Sequence, residues 1–469
     1  MVKLFLLASL LLPSAARAQM DDSAPNIVVI DICAARADHF SSYGYPKRTT
    51  PGMDAVAEDG VLFENAMAQA SWCLSNYATL FTGHTPEVHG LYAMTDRKLP
   101  EEQVTVTQVL KDWGYDTGAW SGGTWLLPQW GLERGFDNYV NTLSSTAVLT
   151  AFSTRMPEML DWVRQRKKPF FLYASIEDLH LPYAQEISLV ADPNSNVVSL
   201  GTGTARTPLL REKDGSATKP QDPPEPAPWL APLHSGAKPR YVKKYDGSLS
   251  RADKQIAKFL DELKAMGLWD KTVVIITGDH GESLGEHGIK GHMEGLYQAS
   301  THVPLIIRHP GLPELRGRRF SELIERVDLA PTLLDIAGAP YDGLEFQGRS
   351  LLSLMRQPGL PWRQYAFGSS KRSVDFPTGP TDLILDERYA RTQRWKLHWY
   401  MRKGRFELYD LHNDPGELFD VSAQHPDVVS NLAFELIKNL ETTRPHAPGL
   451  PSGRPPLRPA ELSQTRPNE

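Results

Sequence analysis

The chain is 469 residues long, with a formal net charge of −6 and 23% charged residues. A mild acidic surplus at this length argues against a nucleic-acid binder, whose contact face would be basic. Hydrophobic residues make up 41%, enough for a large core, and the cysteine content is limited to Cys33 and Cys73.

Residues 1–18 read as a secretory leader of bacterial type. Lys3 supplies the basic start, Leu4–Leu12 a short apolar stretch, and Ala16-Arg17-Ala18 a small-residue cleavage pattern. The apolar stretch is too short to span a bilayer, and no later stretch reaches the required length. The mature chain is expected from about Gln19, in the periplasm or secreted, where two cysteines can pair.

Ile27–Ile32 is an apolar strand whose Asp31 shares a face with Cys33. A polar turn follows to Gly44. Met53, Val56 and Ala57 start a short helix that Gly60 stops, and Val61-Leu62-Phe63 is the next strand. The stretch from Ala70 to Gly83 is a loop running into a helix. Val106, Val109, Leu110 and Trp113 form a helical stripe closed by Gly114, with Thr117–Ser121 the strand after it. Phe170–Ser175 is another buried strand, ending at Glu177-Asp178-Leu179-His180.

From about Gln185 to Lys244 the chain reads as irregular and rich in proline, the pattern of a lid or insertion. Leu249, Ala252, Ile256, Phe259, Leu260 and Leu263 then make an amphipathic helix. It leads to the β-branched strand Thr272–Ile276, and Val303–Ile307 is one more core strand. Trp395–Tyr400 and Phe406–Asp410 alternate as antiparallel strands do. Val429, Leu432, Leu436 and Leu440 close the fold as a helix, and 443–469 has no core pattern. The expected class is α/β: a domain over 19–364 carrying a 185–244 insertion, then a smaller α+β subdomain over 365–442.

The stretch that carries chemistry is Thr277-Gly278-Asp279-His280-Gly281-Glu282. An acid and an imidazole follow a buried strand directly, at the end where open α/β sheets place their sites. Carboxylate oxygen and imidazole nitrogen together suit a divalent metal.

Read together, the motifs resemble the sulfatase family of the alkaline-phosphatase-like superfamily. They include Pro25-Asn26-Ile27-Val28-Val29, Ser42-Tyr43-Gly44-Tyr45, Leu80-Phe81-Thr82-Gly83 and Gly131-Leu132-Glu133-Arg134-Gly135-Phe136-Asp137. Asp178-Leu179-His180-Leu181-Pro182-Tyr183, Asp279-His280-Gly281-Glu282, Val327-Asp328-Leu329-Ala330-Pro331-Thr332 and Glu407-Leu408-Tyr409-Asp410-Leu411 continue the series in the family's order. The resemblance implies a large mixed sheet flanked by helices, and metal-dependent cleavage of a small-molecule or glycan sulfate ester. It implies a divalent cation, usually calcium, with zinc or manganese as alternatives. Asp279 and His280 match metal ligands, Cys73 the nucleophile that the family converts to formylglycine, and His180 and His292 substrate-side groups. Lys290 is a weaker candidate for the place of His292.

Three positions depart from the family pattern. Its first metal aspartate falls on Cys33, with Asp31 two residues earlier, so either residue is the candidate ligand. A thiolate there suits zinc better than calcium. The formylglycine pattern Cys-x-Pro/Ala-x-Arg reads Cys73-Leu74-Ser75-Asn76-Tyr77, which argues against conversion. Gly122-Gly123-Thr124-Trp125 replaces a Gly-Lys-Trp-His stretch. The resemblance also implies that positions 33 and 73 reach one cation, so a Cys33–Cys73 disulfide in a non-catalytic relative is an alternative. A phosphoester or phosphonate hydrolase, or a phosphoglycol transferase, of the same superfamily is another.

Overall fold

The computed structural model describes residues 20, 23–93, 97–143, 151–180, 236–292, 294–371 and 386–443. The expected leader, most of the 185–244 insertion and the tail beyond 443 lie outside the described residues.

The strands are β1 (Asn26–Ile32), β2 (Val61–Met67), β3 (Asp116–Ser121), β4 (Asn138–Asn141), β5 (Phe170–Ile176), β6 (Thr272–Gly278), β7 (Ser283–Leu284) and β8 (Lys290–Gly291). They continue with β9 (His302–Val303), β10 (Leu305–Arg308), β11 (Arg318–Glu325), β12 (Ala366–Lys371), β13 (Asp386–Arg391), β14 (Trp395–Tyr400) and β15 (Arg405–Asp410). Among the described residues the main sheet has nine strands in the order β11-β2-β10-β6-β1-β5-β3-β4, with β9 paired to β2. β1 lies parallel to both β5 and β6, whereas β10 runs antiparallel between β6 and β2.

β1 is buried along its whole length. Ile27 and Val29 join the core on one face of the sheet, and Val28, Ile30 and Ile32 the core on the other. Helices cover both faces, which is why the strand reads as a continuous apolar run. Each such side chain contributes about 1.5–3 kcal/mol by leaving water, so a slip in register would be costly. The register sets Ile32 opposite Gly278 on β6 and Ile176 on β5. The chain therefore emerges from three neighbouring strands at one level, with Cys33, Asp279 and Glu177 as the next residues.

The 303–307 stretch, expected as one strand, is two. Pro304 has no N–H to give to a ladder, so β9 ends before it and β10 begins after it. The amphipathic helix runs Pro239–Ala265 and so begins inside the stretch read as irregular, with proline in its first turn, where a missing N–H costs nothing. Its Tyr245 hydroxyl donates to the Ala34 carbonyl (2.6 Å) and accepts the Arg36 N–H (2.9 Å). That pair of bonds fixes the turn after β1.

β12 to β15 form a separate antiparallel sheet. The helix Pro426–Thr443 covers it, with Leu432, Ala433 and Leu436 against Ala390, Leu397 and Leu408. β12 and β13 carry too little alternation to be read from sequence. The small sheet is tied to the large lobe by buried polar contacts. Lys396 on β14 donates to Thr301 Oγ1 (3.0 Å), and Glu417, held within the small lobe by Lys396 (3.2 Å) and His398 (3.0 Å), accepts the Gln298 N–H. Tyr389 Oη donates to the Ala68 carbonyl at 2.9 Å.

Candidate active site

Asp279 is the first residue beyond β6, and its side chain is buried. Its Oδ1 accepts the N–H groups of Ala34 (3.0 Å) and His280 (2.7 Å). Oδ2 makes no hydrogen bond and lies 3.5 Å from His280 Nε2. His280 Nδ1 sits 2.7 Å from the Gly281 carbonyl oxygen. A carbonyl can only accept, so Nδ1 carries the proton and Nε2 is turned inward, 3.1 Å from Cys73 Sγ. Gly281 leaves no room for a Cβ, which would fall on the Ala299 carbonyl oxygen.

Cys33 follows β1 directly, before Ala34, whose φ of 63° turns the chain sharply. Cys73 is the first residue of the helix α1 (Cys73–Thr82), all ten residues of which are buried. The two sulfurs lie 3.6 Å apart as free thiols, and they share one proton unequally. For Cys73, burial pushes the thiol up, but the Cys33 hydrogen bond and the imidazoles of His280 and His292 outweigh it and bring it well below the usual thiol range. The N-terminal turn of a helix favours the same thiolate. For Cys33, the bond to Cys73, burial and the nearby Asp279 charge all push the thiol well up. Burial raises the Asp279 carboxyl to about 7, with the Cys73 charge adding to the effect and His280 opposing it.

Above Cys73 sit two more imidazoles. The His292 ring lies 4.3 Å from that of His280 and 4.8 Å from that of His180, which is partly exposed. His292 Nδ1 is 3.2 Å from Glu282 Oε1. Burial alone would lower His292, but the Glu282 carboxylate and Cys73 raise it well above the ordinary imidazole value. Thiol, imidazole and carboxylate thus stand in series, the arrangement that activates a thiol. The Trp72 ring lies tilted 5.7 Å from His292 and meets Trp125 edge-on at 5.0 Å, forming an aromatic wall beside the imidazoles.

The residues expected from sequence fall into three groups. Donor atoms of Cys33, Cys73, Asp279 and His280 lie within 4.8 Å of one another, as do those of Cys73, His180 and His292. Asp31 lies outside both groups, and its Oδ1 makes no hydrogen bond. Its Oδ2 is taken by Arg326 and by Tyr173 Oη (2.8 Å), and it sits one pleat behind Cys33. Lys290 stacks on the Tyr241 ring at 4.7 Å, away from the cysteines.

Glu282 and Arg326 carried no assigned role in the sequence. The Asp-His-Gly-Glu run contains Glu282, yet only folding shows that the chain after Gly281 returns it to His292. Arg326 is buried and also donates to the Asn76 (2.8 Å) and Gly278 (2.7 Å) carbonyls, joining α1 to the end of β6. Tyr77, standing where the formylglycine pattern has arginine, places its hydroxyl 3.3 Å from Ser175 Oγ.

A family profile described as "Sulfatase" matches residues 25–339, and one described as "N-sulphoglucosamine sulphohydrolase, C-terminal" matches residues 285–445. An arylsulfatase of Clostridium perfringens is 26% identical over 480 residues, covering 89% of this chain and 94% of that protein. An ulvan-active sulfatase of Formosa agariphila is 27% identical over 355 residues, covering 72% of this chain and 66% of that protein. Among solved structures, the phosphonate monoester hydrolase of Agrobacterium radiobacter superposes with a TM-score of 0.67 at 21% identity, covering 90% of this chain and 96% of that one.

Proposed function

The chain belongs to the sulfatase family, and from that premise we propose that it is a sulfuric ester hydrolase acting on small or glycan-borne sulfate esters, with Cys73 as the attacking group. The observation that carries this is the Cys73 sulfur at a buried helix start, 3.1 Å from His280 Nε2 and next to a His292 held by Glu282. The sulfatase relatives support the ester class, and the ulvan-active sulfatase supports a glycan.

Ser75 and Tyr77 replace the residues of the formylglycine pattern, so Cys73 is taken as a thiolate. It attacks the ester sulfur in line with the leaving oxygen. An S–S bond forms, the sulfur–oxygen bond to the alcohol breaks, and His180 or His292 gives that oxygen its proton. Water then attacks the cysteine S-sulfonate, releasing sulfate and returning the thiol. The electron pair that forms the S–S bond returns to the cysteine sulfur on hydrolysis, so the cycle is redox-neutral and needs no external oxidant or reductant.

The family implies a divalent cation. Calcium takes six to eight oxygen ligands, whereas the donors gathered here are two sulfurs, one imidazole nitrogen and one carboxylate oxygen. The set does not fit calcium, and no step is routed through it. Residues 1–18 as a leader, and a periplasmic or secreted location, go with the same function; N-terminal sequencing of the protein from its host checks both.

The deciding experiment measures sulfate and alcohol release from aryl and glycan sulfates, beside the matching phosphate and phosphonate esters, for the native chain and Cys73→Ala. Sulfate release lost in Cys73→Ala is expected. Turnover confined to the phosphorus esters would move the chain to phosphoester or phosphonate hydrolysis. One observation favours a non-catalytic form: the 3.6 Å sulfur separation is close enough for oxidation to lock Cys73 to Cys33, and absence of turnover on every ester would support it.

A further inference from the structure

We propose that Cys33, Cys73, Asp279 and His280 form a four-donor site for a thiophilic divalent cation, zinc foremost, in place of the oxygen-bound calcium that the family resemblance implies.

The donor geometry supports it. A tetrahedral zinc site has metal–sulfur bonds of about 2.3 Å and metal–nitrogen or metal–oxygen bonds of about 2.0–2.1 Å. Those lengths fix the edges of the donor tetrahedron at about 3.8 Å between sulfurs, about 3.6 Å from sulfur to nitrogen and about 3.3 Å from nitrogen to oxygen. The corresponding separations here are 3.6 Å for Cys33 Sγ to Cys73 Sγ, 3.1 Å for Cys73 Sγ to His280 Nε2, and 3.5 Å for His280 Nε2 to Asp279 Oδ2. All four donors lie within 4.8 Å of one another.

Two further observations point to a ligand. Asp279 is fully buried and its Oδ2 has no hydrogen-bond partner, although a buried carboxylate oxygen left unmatched is costly. Its Oδ1 is anchored by two backbone N–H groups, and its Oδ2 faces the His280 imidazole at 3.5 Å. His280 is held by the Gly281 carbonyl on Nδ1, the outer contact that metal-binding histidines use to present the other nitrogen. The donors are therefore set before any cation arrives.

Softness decides which cation. Thiolate and imidazole ligands select zinc and related ions over calcium and magnesium. Binding exchanges the proton that the two sulfurs share, which passes to solvent, for the cation. A cation held here would draw on the same Cys73 sulfur that attacks the ester, so loading is expected to lower turnover. The binding test below involves no ester, so this site and the hydrolase function can fail separately.

The test titrates cobalt(II) into the reduced, chelator-stripped full chain, after mass measurement has verified two unmodified thiols. We expect sulfur-to-cobalt charge-transfer absorption saturating at one cobalt per chain, displaced by stoichiometric zinc and untouched by excess calcium. Cys33→Ser is expected to halve the band and weaken zinc binding by at least about 100-fold, the upper end for losing even an outer contact. Circular dichroism checks its fold, and the native-chain spectrum stands without it. A missing band in the native chain, displacement by calcium, an unchanged band in folded Cys33→Ser, or a formylglycine or Cys33–Cys73 disulfide in place of the thiols would each overturn the proposal.

Discussion

Arg326 donates from Nη2 to Oδ2 of Asp31, and neither side chain reaches solvent. The same guanidinium grips the Asn76 and Gly278 carbonyls, so it clamps the helix bearing Cys73 to the strand ending before Asp279. Removing one partner of a buried pair leaves an uncompensated charge, worth about 3–5 kcal/mol. Asp31→Ala is expected to lose that much in denaturant unfolding while leaving the cobalt spectrum of the surviving folded fraction intact. A spectrum that changed with stability preserved would make Asp31 a ligand after all.

His292 and its carboxylate separate by the size of their effects. His292→Ala removes the proton carrier and is expected to lower kcat by about 10²–10⁴-fold, the range for a positioned acid–base group. Glu282→Gln keeps the shape but not the charge, so its loss is expected to be smaller and carried by kcat with KM little changed. Steady-state kinetics on one aryl sulfate checks both. An equal KM rise in the two variants would place them in binding instead.

Gly281 tests the local backbone. A Cβ there would strike the Ala299 carbonyl, and the Arg36 side chain packs close by. Gly281→Ala is expected to destabilise by about 1–3 kcal/mol, as overpacking does, and to turn His280 away from Cys73. Thermal unfolding and activity measured side by side will show both losses or refute the clash.

Acid should weaken the Glu417 contact. Burial pushes the Glu417 carboxyl up, but Lys396 and His398 outweigh it and pull it down to about 2, against about 4.3 for an unfolded glutamate. The folded value is the lower one, so falling pH protonates the unfolded chain first. The stabilisation is full above about pH 4.3 and is lost on the way to about pH 2, a swing of about 3 kcal/mol. Denaturant unfolding across that window is expected to slope steeply for the native chain and weakly for Glu417→Gln.

The strands that build the site were legible because burial on both faces writes a run of β-branched residues: Ile27–Ile32 and Thr272–Ile276 carry their identity in composition alone. Asp279 and His280 were legible as chemistry directly after such a run, and Cys73 only through the family resemblance. The choice between Asp31 and Cys33 was not, since both lie on one face and the Arg326 that binds Asp31 is almost three hundred residues away. Glu282 was hidden for a related reason: its partner His292 returns through β7 and β8, strands of two residues each that leave no periodic trace.

Lys396 offers a different lesson about where this chain can be divided. Its ammonium group is fully buried and spends its protons on Thr301 and Glu417, while Tyr389 reaches the Ala68 carbonyl. Cutting the small sheet away would take from the Lys396 ammonium its Thr301 and Leu296 acceptors and from the Ala68 carbonyl its donor. The profile boundary at residue 285 would be worse, parting Glu282 from His292. The two lobes are therefore expected to unfold as one cooperative unit, in a single calorimetric transition.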